Sequence, residues 1–196
     1  RNIMGLWLLQ QARAVWERTG RSYSYPELVS LAEAAPPGGP LVDPNDEVFT
    51  APDDMVKEIR SFCRATGQEL PKGPPAVVRC ILESLALSYG CTLGRLSSIL
   101  GRTFDTVHVV GGGSQNALLN QFTADATGLP VYAGPVEATV AGNVLVQALA
   151  TGRVTSPQEI RRIVRQSFPL AEYQPREAAY WEDRREEYEK LLGQLY

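Results

Sequence analysis

Gly111-Gly112-Gly113-Ser114-Gln115-Asn116 lies between an apolar run, Thr106-Val107-His108-Val109-Val110, and a helix-like run from Ala117 to Thr127. The pattern is strand, glycine turn, helix. Three adjacent glycines strip the side chains from the turn, so its backbone N–H groups can approach a ligand closely. The helix start behind them adds unpaired N–H donors and the positive end of a helix dipole. That combination suits an anion such as phosphate.

Working outward, Gly128 reads as the cap of that helix and Val131-Tyr132-Ala133 as a second strand. A helix over 138–150, closed by Gly152, follows. The order strand–helix–strand–helix predicts two parallel strands joined by a right-handed crossover. Gly134-Pro135-Val136-Glu137-Ala138-Thr139 is then a second turn beside the first, with Gly142-Asn143 one helical turn further on. Ligands in parallel sheets gather at the carboxyl ends of strands, where both turns would lie.

The glycine turn fits neither of two common phosphate loops. A dinucleotide fingerprint needs a third glycine where Asn116 stands. A Walker A loop needs a Gly-Lys-Ser/Thr ending, which is absent. The spacing alone is also compatible with a plain tight turn. Gln115 and Asn116 tilt the reading, because each amide carries a donor and an acceptor suited to a purine edge or a ribose hydroxyl.

Upstream the chain reads as helices. Ile3, Leu6, Trp7 and Leu9 recur at helical spacing over 3–18, with Gly20 as a stop. Ser24-Tyr25-Pro26-Glu27 resembles a capping box that starts a helix running to about Ala34. Pro36-Pro37-Gly38-Gly39-Pro40 is a loop, Thr50-Ala51-Pro52-Asp53 opens a helix that Gly67 ends, and Pro71 to Pro75 is a second breaker. A long apolar helix follows through Val78, Ile81, Leu85, Leu93 and Leu96, with Gly90 and Gly94 weakening its continuity. Pro157 starts another helix, and Pro175 a charged one with Trp181, Tyr188, Leu191 and Leu195 on one face. Its run Trp181-Glu182-Asp183-Arg184-Arg185-Glu186-Glu187 reads as a solvated face with modest ion pairs.

The 196 residues are 44% hydrophobic and 21% charged, ordinary for a globular chain with one sizeable core. A net charge of -3 gives no electrostatic pull toward nucleic acid or anionic membrane. We expect no membrane span and no secretory signal. The chain opens on Arg1 and Asn2-Ile3-Met4-Gly5-Leu6-Trp7 reads as element interior, so we expect sequence upstream. Cys63, Cys80 and Cys91 match neither a disulfide framework nor a zinc spacing, and a reducing cytoplasm is the expected compartment. Cys63 and Cys80 end one helix and begin the next, and could meet in a helical hairpin as free thiols or as a disulfide; Cys91 reads as core filler. Acids at Asp43, Asp46, Asp53 and Asp54 are read as helix starts rather than a metal site. His108, the only histidine, has no triad partner and is expected to be packed and hydrogen-bonded.

Gly111 to Gln121, with Ala124-Asp125-Ala126-Thr127-Gly128 and Gly134-Pro135-Val136-Glu137-Ala138, resembles the C-terminal domain of the FGGY family of carbohydrate kinases. The opening Asn2 to Gln10, Asn45-Asp46, Ala51 to Met55 and Arg79 to Leu87 extend the resemblance to about Phe168. It implies an α/β fold, the C-terminal lobe of an actin-like (ribonuclease H-like) ATPase, helix-rich with few strands in this stretch. It also implies that residues 1–196 are the nucleotide-binding lobe of a two-lobe enzyme. The N-terminal lobe would carry the catalytic aspartate base, so no catalytic residue is expected here. Implied contacts with ATP are Gln10, Gly111, Gly112, Gly113, Gln115 and Asn116, the last near the adenine, and Asn2 would reach the sugar. Without the resemblance Gln10 reads as a surface glutamine and Asn2 as a helix cap. The implied activity is ATP-dependent phosphorylation of a ketose, with magnesium held mainly by the phosphates. The opening segment points to L-rhamnulose; fuculose and xylulose remain alternatives, as does a non-catalytic nucleotide-binding module.

Overall fold

The computed structural model describes residues 5–195. Eight helices and three short strands follow in the order α1 (Trp7–Arg18), α2 (Tyr25–Ala34), α3 (Met55–Ala65), α4 (Gly73–Leu100), β1 (Val107–Val109), α5 (Ala117–Thr127), β2 (Val131–Ala133), α6 (Ala138–Ala150), α7 (Pro157–Ser167), β3 (Ala171–Tyr173) and α8 (Ala178–Leu195). Single 3-10 turns occupy Glu47–Phe49 and Gly111–Gln115.

The core is helical and centred on α4. Val77, Val78, Ile81, Leu82, Leu85, Ala86 and Leu87 are buried along it. Leu8, Leu9 and Trp16 of α1, Leu28 of α2 and Ile59 and Phe62 of α3 join the same cluster, as do Phe122 of α5 and Trp181 and Tyr188 of α8. Pro74 and Pro75 fall in the first turn of α4, where a missing N–H costs nothing, so the expected breaker is in part a helix start. The helix runs through both of its inner glycines. At Gly90 a Cβ would sit 2.8 Å from the carbonyl oxygen of Ala126, so glycine there lets α4 and α5 approach backbone to backbone. By length and composition α4 could also cross a bilayer, contrary to the expectation from the sequence; its buried stretch is instead the centre of this core.

Several boundaries differ from expectation. The Ser24 capping box is present, its Oγ accepting from Glu27 N–H while Glu27 accepts from Ser24. Helix α3 starts at Met55, later than expected, because Asp54 is the side chain that caps it, accepting from Lys57 N–H at 2.9 Å. Helix α8 starts at Ala178 rather than Pro175, because β3 and its exit turn precede it.

The charged run on α8 is not a fully solvated face. Arg184 is only 5% exposed, donating to Gly39 O at 2.6 Å and to the buried Glu83 at 3.3 Å. Arg79 and Tyr180 also donate to Glu83, at 2.6 and 3.3 Å. A carboxylate this buried is tolerable only when its lone pairs are met this fully. The ion pair ties α4, α8 and the 36–40 loop together. Glu186 and Lys190 do form an exposed pair of the modest kind expected.

The sheet has the order β1-β2-β3. β1 and β2 are parallel, with Val107 opposite Val131 and Val109 opposite Ala133. β3 pairs antiparallel to β2, with Ala133 opposite Ala171. His108 is not packed and hydrogen-bonded as expected: it lies on the exposed face of β1 and stacks on Tyr132, its partner in register, with ring centroids 5.6 Å apart. Cys63 and Cys80 are buried free thiols brought together by the α3–α4 hairpin; the hydrogen bond with Cys63, and then burial, push the Cys80 thiol up. Cys91 packs half-buried against the edge of the core, beside Glu189, and burial raises its thiol to about 11.

Candidate functional site

The two turns at the carboxyl ends of β1 and β2 are bonded to each other. Gly134 N–H donates to Val109 O at 2.8 Å, and Gly111 N–H donates to Pro135 O at 3.1 Å. Gly134 is obligatory: its φ is +122°, and a Cβ would stand 3.1 Å from Pro169 O and 3.2 Å from Leu170 Cδ2. The segment that leads into β3, a strand not expected from the sequence, thus closes the back of the second turn. Gly111 also has a positive φ, +74°, which a side chain rarely adopts.

The glycines wind into a single 3-10 turn that delivers the chain to α5. Gly112 is exposed, and a Cβ there would meet nothing within 4 Å. Ordinary φ and open space mean that the fold does not require glycine at 112. Space over bare backbone is what close approach by a ligand needs. Gln115 is exposed at the mouth of the turn.

Asn116 is buried, and its side chain caps α5, with Oδ1 accepting from Leu119 N–H at 3.0 Å. The carbonyl half of the amide expected to face a purine is therefore spent on the helix. Its Nδ2 donors are the part left to a ligand. Helix geometry leaves the N–H groups of Ala117 and Leu118, ahead of Leu119, without an intrahelical acceptor. Helix α6 begins at the same edge of the sheet with Glu137 as its N-cap, and no side chain caps it.

Two residues quoted in the motif, Ser114 and Asn120, hold the turn through bonds that the sequence did not reveal. Ser114 Oγ donates to Gly111 O at 2.7 Å, and Asn120 Nδ2 donates to Ser114 O at 2.9 Å. The available signal was the amide pair Asn120-Gln121 in α5, one turn past its cap. Further along α5, Asp125 Oδ1 accepts from Arg176 N–H at 2.8 Å and from Gln121 at 2.9 Å, fixing the exit from β3. Burial still raises its carboxyl above the ordinary value.

The structure therefore brings Gly111, Gly112, Gly113, Gln115 and Asn116 to one strand edge. Gln10 is an exposed residue of α1, a helix that packs against α3 and α4 within the same core. Asn2 lies outside the described residues. Among the described residues no group of three His, Cys, Asp or Glu side chains is placed to hold a metal.

A glycine turn with open space above Gly112 thus lies at the carboxyl edge of two parallel strands and leads into a capped helix of an α/β fold. The chain belongs to the FGGY family of carbohydrate kinases, residues 1–151 matching the family's C-terminal domain. Within that family it is similar to the rhamnulokinase of Bacteroides thetaiotaomicron, 46% identical over 182 residues that make up 93% of this chain and 37% of that protein. It is similar also to the rhamnulokinase of Enterococcus faecalis, 43% identical over 89% of this chain and 35% of that protein. The chain thus spans little more than a third of the length of these relatives. Among solved structures, the xylulose kinase from Rhodospirillum rubrum superposes with a TM-score of 0.66 at 17% identity, over 96% of this chain and 37% of that one. The gluconate kinase from Lactobacillus acidophilus gives 0.64 at 14% identity, over 97% of this chain and 38% of that one. At such identities the likeness is one of fold: an actin-like α/β lobe, here helix-rich with a three-stranded sheet.

Proposed function

We propose that the protein is an ATP-dependent ketose kinase that converts L-rhamnulose to L-rhamnulose 1-phosphate, and that this chain is its nucleotide-binding lobe. The carrying observation is the Gly111–Gln115 turn, laced to the Gly134 turn and open above Gly112. Identities of 46% and 43% to two rhamnulokinases support the choice of sugar.

Phosphoryl transfer asks a protein mainly for positioning and charge stabilisation. On this reading the backbone of Gly111, Gly112 and Gly113 and the start of α5 hold the nucleotide phosphates. Gln115 and the Nδ2 of Asn116 face the ribose or the purine. Gln10 reaches the nucleotide from α1, and Asn2 the sugar. Magnesium arrives with the nucleotide and is held by phosphate oxygens and water, in keeping with its preference for few protein ligands. The base that takes the proton from the sugar hydroxyl belongs to the N-terminal lobe, and closure of the two lobes excludes competing water. The working compartment is the cytoplasm, where ATP is supplied.

A coupled ADP-release assay of the full-length protein with L-rhamnulose, L-fuculose and D-xylulose tests this. We expect the highest kcat/KM with L-rhamnulose. Preference for another ketose would overturn the sugar and leave the kinase. ADP binding without turnover on any ketose would favour a non-catalytic nucleotide module. The 196-residue chain alone is expected to show no sugar-dependent turnover, because it lacks the base.

A further inference from the structure

We infer that Asn120 is a positioning residue for the nucleotide turn, an inference that rests on the nucleotide reading above. Asn120 is 1% exposed, among Leu119, Phe122, Thr123 and Ala124, which are also buried. An amide in such a place is costly unless it is bonded. Its Nδ2 bond runs to the carbonyl of Ser114, a residue of the turn itself. Ser114 passes the constraint on through its own Oγ to Gly111 O. Gly111 N–H in turn holds Pro135 O in the second turn. One continuous chain of bonds thus runs from the body of α5, through both ends of the glycine turn, to the neighbouring loop.

The sense of these bonds matters for an anionic ligand. Each of the first two pulls a turn carbonyl onto a protein donor. A carbonyl oxygen left free to swing toward a phosphate would repel it, since both carry negative charge. Glycines give the turn the freedom to make that swing, with no side chains to bias it. A backbone this permissive needs an external brace if its N–H groups are to stay presented as an anion nest. Asn120 supplies that brace from a rigid helix and touches no ligand itself.

The test uses the full-length protein with Asn120→Asp and Asn120→Leu. The first keeps the shape and places an acceptor against Ser114 O. The second keeps the bulk and removes the bond. We expect ADP affinity, by calorimetric titration, and the KM for ATP each to weaken about tenfold or more, the scale of one lost buried hydrogen bond. The KM for the ketose should stay within about twofold, because nothing in the brace bears on the sugar. An equal rise in both KM values would mark Asn120 as general packing and overturn the inference. So would ADP affinity within about twofold of wild type in both variants. Should neither variant fold, Ser114→Ala cuts the next bond in the chain, with the same outcomes supporting or overturning. Gly112→Val separates the two readings. If it abolishes ADP binding while the Asn120 variants bind normally, only the brace fails. If it binds ADP as wild type does, the nucleotide reading itself fails.

Discussion

The β1–turn–α5 and β2–turn–α6 units are built to one plan and embedded very differently. Both have a three-residue strand, a glycine-bearing turn and an apolar helix of similar length. Helix α5 buries Leu119, Asn120, Phe122, Thr123, Ala124, Asp125 and Ala126, is capped by Asn116, and packs along α4 more extensively than any other pair of elements. Helix α6 has no side-chain cap and buries no residue, and Val140, Val144 and Val146 are each about 60% exposed. Hydrophobicity therefore does not distinguish a core helix from a surface one here. What distinguishes them is a partner within reach and polar groups that fix the approach. The braced unit carries the turn proposed to hold phosphate, where a sub-ångström shift of backbone matters most.

Substitutions in the two units probe that contrast, with chemical denaturation of the chain as the common measure. The largest effect is expected at Phe122→Ala, which empties a buried site between Trp181, at 5.1 Å, and the Arg79 guanidinium, at 5.3 Å. Its cost should be about 3–5 kcal/mol. Gly90→Ala forces a methyl against the Ala126 carbonyl and should cost roughly 1–3 kcal/mol by pushing α4 and α5 apart. A near-neutral result there would mean that the two helices do not touch as described. Asn116→Ala removes the α5 cap and should cost about 1 kcal/mol. Val144→Ala on α6 should stay within roughly 0.5 kcal/mol, as exposed positions do. A Val144 cost approaching that of Phe122 would show α6 covered in solution and erase the comparison.

Much of this was legible in the sequence because it is local. The strand–turn–helix pattern, the capping box, the Gly128 cap and the parallel pairing of Val107–Val109 with Val131–Ala133 all follow from residues close together in the chain. What escaped is long-range. Ala171-Glu172-Tyr173 is too short to show alternation and becomes a strand only because β2 offers it an edge. Arg184 looks like one of several surface charges until Glu83, 101 residues away, draws it inside. Asn116 and Asn120 were readable as amides near a turn, but which of their atoms face the protein is decided by α5 and the turn folding together. At His108 neighbouring valines suggested burial, whereas the sheet leaves that face open to solvent and to Tyr132.

Bare backbone at the Gly111–Gln115 turn is proposed to hold the nucleotide. Gly112→Val tests it most directly, because a Cβ there has nothing within 4 Å to clash with and the φ is ordinary, so the fold should survive. Titration of ADP into the full-length wild-type and Gly112→Val proteins is expected to show binding in the first and at least a hundredfold loss in the second, with unchanged thermal unfolding. Equal ADP affinities in two equally folded proteins would contradict the account.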